Sequence, residues 1–381
     1  MQRWNIKYLK SLYDTYNKLS IESSDPTLSL QYESTANSIL TIIDRYNEMV
    51  SKRITLTGGI EVSNHKSIIS SDFSFINDYG YYCPYIRFLN DYNDILEITP
   101  NTDLPIIKTN SQSIISLSKD FYNRFNRIFA NSFNAMAENF DNTIHMRRIT
   151  GSTITAGQTY SVYKTKDTFF ELGYNNTLQD YVSAIHEFGH GISCRLNSES
   201  MWDFGKYCFI EVDSLFFELL GTDYIGEQLN RKKDAFDINM HVLKDYIYSA
   251  MLISTKLDMY SMCDRADLNN KRFAKKFLIN EIGLNQLGAK DVLQTYIRDY
   301  MHYIVSYLTA IELYLIYQEE PDKALELLFN IITSKLEGTE KYLSYVKVMG
   351  IEPGKNFDKY ISLMFEKAKE VKDDKSLRYK N

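Results

Sequence analysis

Proline is scarce in this sequence: there are six in 381 residues, and none lies between Ile106 and Glu320. Proline breaks helices, so that tract is open to long, uninterrupted ones. Cysteine is scarcer still. Cys83, Cys194, Cys208 and Cys263 show no paired spacing, which excludes a disulfide framework and predicts a reducing, cytoplasmic compartment. No run of about 18 apolar residues occurs, so no membrane span is expected. The amino terminus, Met1 to Leu19, carries Arg3, Lys7, Lys10 and Asp14 among its apolar residues and lacks the continuous apolar core of a signal peptide. A net charge of −6 gives no support to nucleic acid or an anionic membrane as partner. Internal repeats and low-complexity linkers are absent as well. What the chain has in plenty is apolar and aromatic material. Hydrophobic residues make up 44 % and tyrosine alone contributes 30 positions, enough for a large core in one big domain or two closely packed lobes.

The periodicity is mainly helical. Trp4, Tyr8, Leu12, Tyr16 and Leu19 recur at helical spacing, and a break at Ser23 to Pro26 precedes a second helix near Ser29 to Lys52. A β-like piece spans Ile54 to Val62, and Asn64 to Pro105 is expected to be loop-rich or built of short helices. One long helix is predicted from Ser111 to Ile144, with Ile114, Leu117, Phe121, Phe125, Ile128, Phe129, Phe133, Met136 and Phe140 on its apolar face. The period changes at Ile149 to Leu172. Thr153-Ile154-Thr155, Thr159 to Lys164 and Thr168 to Leu172 read as short strands, with Lys166-Asp167 as a turn. Beyond this sheet, helices are predicted at Glu211 to Gln228, Lys233 to Met262, Lys271 to Glu281, Lys290 to Tyr317, Asp322 to Leu336, Lys341 to Val348 and Asn356 to Val371. The expected division is an amino-terminal helical and irregular lobe over 1–105, a larger domain over 106–371 and a charged tail over 372–381. The fold class is mainly α with one small sheet.

Only six histidines occur, and two of them fall in His186-Glu187-Phe188-Gly189-His190. On a helix, residues four apart lie on one face, so both imidazoles can reach a single Zn²⁺ while Glu187 stands beside it to hold an attacking water. Val182, Ile185 and Phe188 give the flanks helical spacing, and Thr177 is a plausible N-cap. A catalytic zinc usually has three protein ligands and an open position. Candidates for the third are Glu199, Asp203, Glu211, Asp213, Glu218 and Asp223. Glu211 is preferred because it opens the next amphipathic helix, whereas Glu199 sits in a polar loop. Ser214 and Glu218 share the face of Glu211 and could orient a ligating imidazole, and Asp180 is a weaker candidate for that role. Cys194 and Cys208 bracket the segment after the histidines but form no Cys-x-x-Cys pair.

With these residues in view, the chain resembles the thimet oligopeptidase and oligoendopeptidase F family of zinc metallopeptidases, as a shortened member. The resemblance is carried by the lead-in Gly173 to Asp180, by His186 to His190, by Glu211-Val212-Asp213-Ser214 with Glu218, and more loosely by Val348 to Pro353. It implies a large helical fold with a small sheet beside the zinc-binding helix and a channel admitting short peptides. It further implies one zinc per chain on His186, His190 and Glu211, with Glu187 as general base. The family also places a His and several Tyr on a late segment facing the metal. Here that stretch is Tyr300 to Tyr314, which supplies His302, Tyr307 and Tyr314 as candidates for binding the oxyanion. A neutral phenol is chemically suited to that task.

The activity expected is therefore hydrolysis of oligopeptides at internal bonds. A carboxypeptidase is the alternative from the same metal chemistry, with Arg147 or Arg148 receiving the terminal carboxylate. A peptide-binding protein without turnover is a third reading, for which an intact Glu187 has no chemical use. The sequence leaves oligomeric state open.

Overall fold

The computed structural model describes residues 4–51, 65–98, 106–107, 109–149, 157–197, 207–336 and 338–373. The β-like piece expected at Ile54 to Val62, the strand at Thr153 to Thr155, most of the loop from Asn197 to Lys206 and nearly all of the charged tail lie outside these residues. Helix accounts for most of what is described, with one three-stranded sheet. No described helix is long and apolar enough to cross a membrane. Contacts divide the chain into two units, one made of 1–59, 103–200 and 220–231, the other of 60–102, 201–219 and 232–381.

The first unit is built around the sheet. Strand β1 spans Ile144–Arg148, β2 Gly157–Val162 and β3 Asp167–Tyr174, in the order β1-β3-β2, parallel between β1 and β3 and antiparallel between β2 and β3. Strand residues alternate between faces, and the register sorts them. Thr159 pairs with Phe170 and Ile144 with Phe170, so these three share one face. Against it lies the helix Gln179–Leu196, whose Phe188 meets Phe170 edge to face at 5.0 Å and stacks on Phe140 at 4.9 Å. The opposite face carries Phe169, Val162 and Glu171. It is covered by the hairpin of helices Ile6–Glu22 and Pro26–Ser51, through Trp4, Leu9, Ile39, Ile42 and Ile43. Strand β1 is not distinguishable in the sequence from the end of the preceding helix. A five-residue strand has too short a period to stand out, and its pairing partner, β3, is more than twenty residues away in sequence.

The single helix expected over Ser111 to Ile144 is three pieces, Ser111–Tyr122, Arg127–Ala137 and Phe140–Thr143. Asn126 decides the main break. Its side chain accepts the N–H groups of Ile128 and Phe129, and so caps a new helix while the apolar spacing runs on unbroken. Where the Gln179–Leu196 helix approaches the sheet, Gly191 leaves no room for a side chain. A Cβ there would come within 2.7 Å of Phe170 Cζ and closer still to the Met136 sulfur. Gly191→Ala is expected to cost about 1–3 kcal/mol through overpacking, read as a fall in Tm.

The second unit is helical. Of the two expectations for Asn64 to Pro105, the described residues follow the short-helix one, with helices at His65–Tyr79 and Cys83–Asn90. The longest described helix is Lys232–Met262, and Ile297–Glu319 is buried through its middle, from Met301 to Leu315 apart from Tyr303. The helix expected from Lys290 to Tyr317 is interrupted, as Gln286–Gln294 and Ile297–Glu319. The interruption is held by a buried cluster. Asp72 Oδ1 accepts the N–H of Ile297, the first residue of the new helix, at 3.0 Å. Asp72 Oδ2 meets Lys256 Nζ at 2.6 Å and the Tyr260 hydroxyl at 2.7 Å. The Lys256 amine also donates to the Thr295 carbonyl. A carboxylate 225 residues upstream thus caps the helix, a relation that no local spacing can signal.

Candidate active site

The turn into the histidine-bearing helix, Gln179–Leu196, is organised by Asp180. Its carboxylate accepts backbone N–H groups from Asn175 at 3.0 Å, Asn176 at 2.8 Å and Thr177 at 3.2 Å, and the Thr109 hydroxyl at 2.7 Å. Burial raises its pKa and these hydrogen bonds oppose the rise. Asn176 takes up a left-handed backbone within this turn, φ 65°. The expected Thr177 cap is not used: Leu178 occupies the cap position with no side-chain hydrogen bond, and Asp180 draws the loop in from the first turn. Its carboxylate is occupied by that task rather than by an imidazole.

Along the helix, His186 and His190 are half-buried, with ring centroids 5.1 Å apart and planes at 85°. The carbonyl of Ile185 accepts the Tyr122 hydroxyl at 2.7 Å. A Cβ on Gly221 would lie 2.7 Å from Ile185 Cδ1, so the carboxyl-terminal half of the helix Val212–Gln228 runs close beside the histidine-bearing helix.

Glu187 is 6 % exposed and turns toward β2. Its Oε2 accepts the Thr159 hydroxyl at 2.5 Å. A Cβ on Gly157 would lie 2.7 Å from its Oε1. Neither Gly157 nor Thr159 stands out in the sequence, where both read simply as strand or its approach.

Glu211 precedes the helix Val212–Gln228 and is 8 % exposed. Its N–H donates to Ser306 Oγ at 3.3 Å, and its Oε2 accepts Ser214 Oγ at 3.0 Å. Ser214, expected to orient an imidazole, instead steadies the carboxylate of Glu211 itself. His302 is 8 % exposed. Burial lowers its pKa, and the nearby Glu211 carboxylate is the largest influence in the other direction. Its ring lies 4.2 Å from that of Tyr303.

Tyr307 and Tyr314 are placed differently from the oxyanion role expected of them. Tyr307 is fully buried and stacks on Tyr246 at 4.2 Å, and its hydroxyl lies 3.4 Å from that of Tyr360. Tyr314 is 2 % exposed, meets Tyr360 edge to face, and accepts Lys367 Nζ at 2.9 Å. Both belong to an enclosed aromatic cluster, and burial drives the Tyr307 phenol pKa well upward. Tyr246, whose phenol feels Glu218 and Glu211, carries no local signal in a chain so rich in tyrosine.

His186, His190 and Glu211 offer ligand atoms that all lie within 4.8 Å of one another. Two imidazoles and a carboxylate are the donor set of a catalytic zinc with an open position, so these residues fit the metal. Asp213, Glu218 and Asp223 are not in this group; Glu199 and Asp203 lie outside the described residues. Cys194 and Cys208 are buried, and burial pushes both thiols up in pKa, away from the thiolate a metal requires. Arg147 shares the β1 face of His145, which by register lies with Glu171 and away from Thr159. Its guanidinium is 3.8 Å from the buried Glu171 carboxylate, which Arg45 also meets at 3.2 Å.

Among solved structures, the chain is similar to PZ peptidase A with an inhibitor, at 12 % identity and a TM-score of 0.54, over 97 % of this chain and 76 % of that one. The fold is that of the oligoendopeptidase F structures. One of these, from Bacillus anthracis str. Ames, is 13 % identical with a TM-score of 0.51, covering 97 % of this chain and 75 % of that one. Another, solved at 3.1 Å, is 12 % identical with a TM-score of 0.50, covering 97 % and 76 %. No family model matches the chain, and a search of curated proteins returns no match.

Proposed function

We propose that this chain is a zinc-dependent endopeptidase that hydrolyses short oligopeptides. The observation that carries the reading is the convergence of His186, His190 and Glu211 around one point, with Glu187 next to a ligand on the same helix. The likeness to peptidase structures supports it at the level of fold. One zinc per chain would be held by these three side chains. When bound, it would supply Lewis-acid polarisation of the scissile carbonyl and a water of lowered pKa. Glu187 takes the proton of the attacking water and delivers it to the leaving amine. His302, beside Glu211, donates to the oxygen on which negative charge develops. Tyr307 and Tyr314 serve this helix by packing. Among the described residues β2 pairs only with β3, so its other edge can take an extended peptide backbone by strand addition.

Metal analysis of the purified protein, together with digestion of a mixed-length peptide library, tests the reading. About one zinc per chain and internal cuts confined to short peptides are expected. Metal-free, inactive protein overturns it. Peptides with amidated carboxyl ends should be cut as well as free ones; a carboxypeptidase would stall on them. Chelation is expected to abolish cleavage and added zinc to restore it, and His190→Ala should fall well below one zinc per chain.

A further inference from the structure

We propose that Thr159 is a positioning residue for Glu187, so that the sheet edge offered to the peptide also holds the base. The inference rests on the peptidase reading for its chemistry and on β2 for its geometry. Gly157 and Thr159 are two apart on one strand and therefore face the same way, toward the histidine-bearing helix. The Thr159 hydroxyl lies 2.5 Å from Glu187 Oε2 and 3.1 Å from the Glu187 carbonyl oxygen. A hydroxyl has one proton, and the shorter distance is that of a charge-assisted bond to a carboxylate. The other oxygen, Oε1, is 2.7 Å from where a Cβ on residue 157 would stand, a place only glycine leaves vacant. Thr159 thus engages one carboxylate oxygen, while the rest of the carboxylate packs close against the Gly157 backbone.

The strand itself does not call for this arrangement. Valine fits a pleated strand as well as threonine and has nearly the same shape; what threonine adds is the hydroxyl. Threonine is also stiff at χ1, so the hydroxyl is held in a fixed direction. A glutamate on a helix otherwise has three rotatable bonds to order before it can meet a water. Ordering them in advance, from the strand that pairs with the substrate, places the base correctly whenever the peptide is in register.

Thr159→Val keeps shape and strand propensity and removes only the donor. It is expected to lower kcat about 10-fold, the worth of one hydrogen bond to a charged group, with KM and zinc content little changed. Thr159→Ser should recover most of the lost kcat. Thermal melts of as-purified wild type, Thr159→Val, Glu187→Ala and the double variant give a readout independent of turnover. Thr159→Val should lower Tm by about 2 °C when Glu187 is present and not when it is absent. If the active wild type and Thr159→Val share the same kcat, or if the two substitutions act additively on Tm, the proposal is wrong. Should Thr159→Val fail to fold, Thr159→Ala takes its place in both arms. Wild-type protein that cleaves no peptide would sink the peptidase reading instead, and the melts alone would then decide whether Thr159 holds Glu187.

Discussion

Glu187→Gln is expected to keep its zinc and to lose at least ~10² in kcat, the usual contribution of a general base. The substitution is nearly isosteric. The glutamine side chain would fill the same space beside Gly157, and its amide oxygen could still accept the Thr159 hydroxyl, so the helix and the strand have no reason to move. What is removed is the capacity to take a proton at neutral pH. The two histidines proposed as ligands lie on either side of the substituted position without depending on it, which is why metal content should hold while turnover falls. Zinc analysis and single-turnover kinetics on one peptide check both halves. Cleavage at the wild-type rate would show that the base has been misassigned. Loss of zinc would show that Glu187 supports the metal rather than the water.

The second large effect concerns stability. Lys256→Met removes the cation from a carboxylate whose side chain, like that of Lys256, is wholly inaccessible. Breaking a buried ion pair by removing one partner leaves the other charge uncompensated, at a cost of about 3–5 kcal/mol. Burial already pulls the Lys256 pKa down, and only Asp72 opposes it, so the pair stands on its mutual attraction. Asp72 also caps the helix Ile297–Glu319 and receives the Tyr260 hydroxyl, and both bonds would then terminate on an isolated charge. Urea titration should place the Lys256→Met midpoint far below wild type. Asp72→Asn combined with Lys256→Met removes both charges and is expected to regain much of the loss. If the double variant is no more stable than the single, the ion pair does not set the penalty.

Not every part of this molecule is equally legible in its sequence. The histidine-bearing helix is, because ligand geometry and helix geometry share one period. Glu211 is legible too, since it opens an amphipathic helix at a suitable distance along the chain. The breaks at Asn126 and at Thr295-Tyr296 are not. At each, apolar spacing continues across the interruption while a side chain diverts the backbone, Asn126 locally and Asp72 from another helix. Tyr307 and Tyr314 show the same limit in side chains. Their seven-residue spacing correctly puts them on one helical face, but spacing cannot say whether that face meets a cleft or Tyr246 and Tyr360.

The sequence by itself determined two imidazoles and a carboxylate on one helix, a further glutamate downstream, and a mainly α chain with one small sheet before the histidines. These features are local, set by residue type and by a period of 3.6. The tertiary structure alone decided which tyrosines are walled in, which carboxylate starts the Ile297–Glu319 helix, and what holds Glu187. Each of these depends on atoms brought together from distant parts of the chain, as Thr159 and Glu187 are across 28 residues, and only packing brings such atoms into contact.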